Sequence, residues 1–211
     1  MFAAVLANVV VVGLGGPPSP EPTLIRLELA AESAVTNVSS AWLWNPHGHA
    51  VLTEGDAHSR GVEGRVLFGN SPVYIGLELG VSQITSAPAL HDGLDQGTLY
   101  RSTTPPGGMF GASTGTSVTM AAPIGVQARL GPLLVGVEGL IGWRRMSLES
   151  VEGGPTVDGF VPLVETRVRA GVWITPTVSL SLLAGKGVVV NDSHSLCAVL
   201  SLSKLPFDGE R

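Results

Sequence analysis

Val73-Tyr74-Ile75-Gly76-Leu77-Glu78-Leu79-Gly80-Val81 alternates without a break. Val73, Ile75, Leu77, Leu79 and Val81 share one face, and Tyr74, Gly76, Glu78 and Gly80 share the other. A period of two is that of a β-strand with one face in an apolar medium. Which face lies inside decides the fold.

Seven further segments read the same way, giving eight in all: about 23–33, 59–69, 72–85, 117–130, 133–148, 159–174, 177–190 and 194–205. Gly69-Asn70-Ser71-Pro72, Gly131-Pro132 and Thr175-Pro176 supply hairpin-sized links with turn chemistry. The other links are long, about 34–58, 86–116 and 149–158, apart from Asn191-Asp192-Ser193. An even strand count with short turns at one end and long loops at the other is the plan of a bacterial outer-membrane barrel.

Alternation alone also fits a soluble lipocalin-like barrel with an apolar cavity. Three features favour a charged interior. Gly76, Gly80, Gly125, Gly136, Gly142, Gly171 and Gly185 share the polar face, and a narrow eight-stranded interior needs small residues beside large ones. Arg26, Arg65, Arg129, Arg144, Arg167 and Arg169 nearly match Glu28, Glu63, Glu78, Glu138 and Glu165 in number, as a dry network of charges requires. Every cation in that set is Arg, the residue suited to bidentate carboxylate pairing. These eleven residues form the expected lumen network. Leu140 and Leu163 fall among them, to pack between the ion pairs, and Lys186 falls on the lipid-facing parity, where it must snorkel or mark a bulge.

Aromatics fall near both ends, Phe68, Tyr74, Trp173 and Phe207 towards the turns and Trp42, Trp44, Trp143 and Phe160 towards the loops. They suggest interfacial girdles.

Composition agrees. Only 14% of the 211 residues are charged and only two are lysine, against about 25% charged residues in a soluble domain. The net charge of −5 argues against a nucleic-acid partner. The lone Cys197 excludes an internal disulfide or a Cys-rich metal site and reads as a small packing residue. Residues 1–22 form a signal-like apolar segment and a Pro-rich linker, and 23–207 form the barrel. Gly13-Leu14-Gly15-Gly16 after an apolar run mimics a dinucleotide loop, but Pro17-Pro18 forbids the helix start it needs.

The pattern resembles the small eight-stranded outer-membrane β-barrels, the group of the OmpA transmembrane domain and OmpX. The resemblance covers about 23–207. It implies an all-β, antiparallel, up-and-down transmembrane barrel in the bacterial outer membrane. Its partners would be the lipid bilayer, lipopolysaccharide and the outer-membrane assembly machinery, with the chain a monomer. The closing strand of that family commonly ends on an aromatic, whereas here Phe207 is followed by Asp208-Gly209-Glu210-Arg211. No cofactor, metal or catalytic residue is assigned. His47, His49, His58, His91 and His194 all fall in expected loops, and His47-Gly48-His49 lacks partners at metal-ligand spacing. Asp192-Ser193-His194-Ser195 leaves a lipid A-modifying enzyme as an alternative to a structural or surface-interaction role.

Overall fold

The computed structural model describes residues 24–38, 43–44, 50–52, 55–70, 72–88, 90–92, 109–110, 113–150, 156–175, 177–188 and 192–204. Eight long strands build the body: β1 (Leu24–Val38), β4 (Gly55–Asn70), β5 (Val73–Ala87), β8 (Ser113–Leu130), β9 (Leu133–Ser150), β10 (Thr156–Trp173), β11 (Val178–Gly187) and β12 (Ser193–Lys204). Four short strands lie in the long connections: β2 (Leu43–Trp44), β3 (Ala50–Leu52), β6 (Leu90–Asp92) and β7 (Met109–Phe110). The signal-like segment, Trp42, His47, His49 and Phe207 lie outside the described residues.

The eight long strands pair antiparallel in the order β11-β12-β1-β4-β5-β8-β9-β10, and β10 pairs back onto β11. The sheet is therefore a closed up-and-down barrel. β1 and β12 seal it, in register from Ile25↔Lys204 to Thr36↔Ser193. Closure pairs both edges of the sheet over most of their length.

The turns are built as their residues dictate. Gly131 has a φ of 63° and, with Pro132, joins Leu130 to Leu133. A positive φ at the first of two central residues is the type II′ hairpin geometry, which glycine adopts without strain. At the opposite end β11 stops at Gly187, opposite Glu165, and leaves the outer half of β10 without that neighbour. β2 takes part of the vacant edge, pairing Trp44 with Asp158 and Leu43 with Gly159. β3, β6 and β7 form a separate three-stranded sheet.

The apolar face points outward. Leu27, Leu29, Ile75, Leu79, Val81, Ile141, Val168 and Leu182 are all exposed, whereas Arg26, Arg65, Arg144 and Arg167 are at most 2% exposed. A lipocalin-like arrangement, with the apolar face around a cavity, is thus overturned. On β5 the outward apolar run covers Val73 to Val81, nine residues. A tilted strand crosses the hydrocarbon layer in about 9–11 residues.

The strands outrun that band. Where the sequence pattern predicts loops, β1 continues to Val38, β4 begins at Gly55 and β8 begins at Ser113. In these extensions the two faces exchange chemistry. Asp56, His58, Arg60, Gln83, Arg145 and Glu149 point outward, while Val38, Ala57, Ile84, Ala87, Met146, Leu148, Val157 and Val161 pack together inside. The adjacent pair Arg144-Arg145 marks the switch on β9, with the first side chain in the lumen and the second outside. A register shift at His58/Ser59, opposite Thr85, adjusts β4 against β5 at the same level.

Candidate functional site

The lumen is the one place where ionisable groups gather among the described residues. Strand alternation aims Arg26 and Glu28 of β1, Glu63 and Arg65 of β4, Tyr74 and Glu78 of β5, Glu138 of β9, and Glu165, Arg167 and Arg169 of β10 into one space. The hub is Arg65, with its guanidinium 2.8 Å from Glu28, 3.0 Å from Glu78 and 2.6 Å from Glu138. Arg169 grips Glu28 through two nitrogens, at 2.6 and 2.7 Å. This is the bidentate geometry that lysine cannot supply. Arg167 lies 2.9 Å from Glu78 and 3.1 Å from Glu165. Arg26 donates to Gln127 at 2.6 Å, lies 3.0 Å from Glu28 and stacks over the Tyr74 ring.

Hydroxyls supply further partners. Tyr74 donates to Glu138 at 2.6 Å and Ser201 to Glu28 at 2.9 Å. Ser193 and Ser195 both donate to Glu165, at 3.1 and 3.0 Å. Gly125 makes the Tyr74–Glu138 contact possible, because a Cβ there would lie 2.6 Å from the Tyr74 ring and 2.8 Å from the Glu138 Cβ.

Two residues change places relative to the sequence reading. Arg129 is exposed at the turn end, where it stacks on Trp173 at 5.1 Å and donates to the Gly131 carbonyl. It lies outside the network, because the band below Arg26 is already at the rim. Glu32, outside the expected network although it shares the parity of Arg26 and Glu28, is buried and bound to Arg144 at 2.7 Å. Arg144 also donates to Thr119 at 3.0 Å and Thr36 at 2.9 Å. The parity of Glu32 was signal enough to find it.

Other expectations resolve by parity. Tyr74 is 5% exposed inside the barrel and is no girdle residue, whereas Phe68, Trp143 and Phe160 do face outward. Trp173 points partly inward. Leu140 and Leu163 pack with Ala121 in a small apolar cluster inside. Lys186 is exposed one residue before the end of β11, in unbroken register with His194, so no bulge is involved. His58, His91 and His194 lie on strands, not loops. Ser193 and Ser195 point into the lumen while His194 points out, 3.6 Å from Asp192. A nucleophile and its base cannot act from opposite faces of one strand.

No family model matches the chain, and no curated protein matches it. Among solved structures it is similar to Neisserial surface protein A, with 11% identity over 87% of this chain and 96% of that one and a TM-score of 0.44. It is also similar to Ail, the attachment invasion locus protein of Yersinia pestis, with 6% identity over 87% and 99% and a TM-score of 0.49. A major outer membrane protein from Thermus thermophilus gives 13% identity over 85% and 99%, with a TM-score of 0.47. These likenesses concern the path of the chain. By its own strand order, closure and inverted burial, the fold is an eight-stranded antiparallel up-and-down barrel with a charged interior.

Proposed function

We propose that this chain is a bacterial outer-membrane β-barrel with a closed lumen and a structural or surface-interaction role. The observation that carries the reading is the inverted burial: an apolar band outside and paired charges inside. Water would penalise that band, and a bilayer rewards it. The short turns face the periplasm and the long connections face outward. The connection between β1 and β4 and that between β5 and β8 are the surfaces offered to partners.

Arg60, Arg145 and Lys186 point outward just beyond the apolar band. At that height they meet the phosphates of lipopolysaccharide, which favours it as the neighbouring lipid. The barrel is inserted as a monomer by the outer-membrane assembly machinery. The Arg/Glu network acts as a structural plug that ties the strands together.

Fractionation of cells, followed by electrophoresis with and without boiling, tests the reading. The expected result is recovery in the outer-membrane fraction with a heat-dependent change of mobility. Recovery in the soluble fraction without a shift overturns it. In planar bilayers the folded barrel is expected to pass no steady current.

A further inference from the structure

The lumen charges do not balance. Among the described residues the buried anions are Glu28, Glu32, Glu63, Glu78, Glu138 and Glu165, and the buried cations are Arg26, Arg65, Arg144, Arg167 and Arg169. Counted with every group ionised, six against five is a surplus of one negative charge, and an uncompensated ion inside a bilayer is severely penalised.

The surplus sits on Glu63. Glu28, Glu78, Glu138 and Glu165 each have an arginine within 3.1 Å, and Glu32 has one at 2.7 Å. The nearest arginine to Glu63 is Arg167, at 3.9 Å. Glu63 is 1% exposed, and its Oε1 has no hydrogen-bond partner. Its Oε2 lies 3.8 Å from the Sγ of Cys197, which is fully buried. Ligand atoms of Glu32, Glu63 and Cys197 lie within 4.8 Å of one another.

We propose that Glu32, Glu63 and Cys197 form a site for a divalent cation of the zinc class inside the barrel. One thiolate and two carboxylates suit a borderline-soft ion, and the free Oε1 of Glu63 or a water completes a four-coordinate shell. On binding, the Cys197 S–H bond gives way to a sulfur–metal bond and the proton leaves to solvent. The charges then close: the thiolate adds one negative charge to the surplus, and the divalent ion cancels both. Metal–ligand distances of about 2.1–2.3 Å require the widest pair of ligand atoms to draw in by roughly 1 Å. Arg144 holds one oxygen of Glu32 and so orients that ligand.

Cobalt(II) reports on such a site because a thiolate ligand gives it a near-ultraviolet charge-transfer band. The full chain is folded into detergent micelles with cobalt, and excess metal is removed. The expected result is one cobalt per folded chain with the thiolate band, both displaced by zinc. Cys197→Ser and Glu63→Gln each lose the band and the retained metal, while keeping the heat-dependent gel mobility of the folded barrel. Cys197→Ser differs by one atom, so it reads the site even if Glu63→Gln folds poorly. A wild-type barrel that retains no cobalt overturns the proposal. So does retained cobalt without the thiolate band, which the histidines would explain.

Discussion

On either side of Arg144 the same strands are built to opposite rules. Towards the turns, Arg65, Glu138 and Arg169 are inside and Leu77, Val135 and Val168 outside. Towards the loops, Ile84, Leu148 and Val157 are inside and Arg60, Arg145 and Glu149 outside. Between β8 and β9 the backbone does not change, since strand pairing and alternation run through the switch. What changes is the solvent around the barrel. The lower part is a membrane protein and the upper part is a small water-exposed barrel with an ordinary apolar core.

Substitutions can break this comparison at chosen heights. The largest effect is expected from Arg65→Ala, which strips the shared cation from Glu28, Glu78 and Glu138. Leaving buried charge unpaired costs about 3–5 kcal/mol, measured as a fall in the urea midpoint of the barrel in lipid. In the upper part the apolar core should dominate, so Leu148→Ala is expected to cost about 3 kcal/mol through its cavity. On the outer face of β9, Ile141→Arg places a charge in the hydrocarbon band and is expected to cost about 2–4 kcal/mol. Ser147→Arg, six residues further along the same outward face, should stay within about 0.5 kcal/mol. Equal losses at the two positions would show that the switch is misplaced. A small loss is expected at the rim: Arg129→Ala gives up an exposed cation–π contact with Trp173, about 0.5–1 kcal/mol.

Much of this was legible in the alternation. Segments such as 72–85 and 133–148 carry one chemistry on each face, so strand, partner face and interior follow together. The eight strands and nearly all of the lumen charges were read that way. The upper extensions were missed because apolar and polar residues trade faces there. Ala57 and Asp56 then look like loop composition, although the period of two continues. The charge count also went astray at its two ends. Arg129 has inward parity but lies at the rim, and Glu32, near the end of the first alternating segment, has inward parity and lies within the lumen. Parity fixes the face, whereas depth along the barrel depends on register with neighbouring strands.

Closure by β1 and β12 has a consequence for how the barrel forms. The residues that seal the ring stand near opposite ends of the chain, as in Ile25↔Lys204. Contacts so distant in sequence carry a large loop-closure entropy and slow the search for the native state. The charged hub obeys the same logic, for Glu28 of β1 is held by Arg169 of β10 and Ser201 of β12. Among the described residues every buried ion lies on strands from β1 to β10, so the last hairpin closes the ring around them and adds the hydroxyls of Ser193, Ser195 and Ser201. Folding in lipid should be one cooperative, late-committing event, rate-limited by the meeting of the first and last strands.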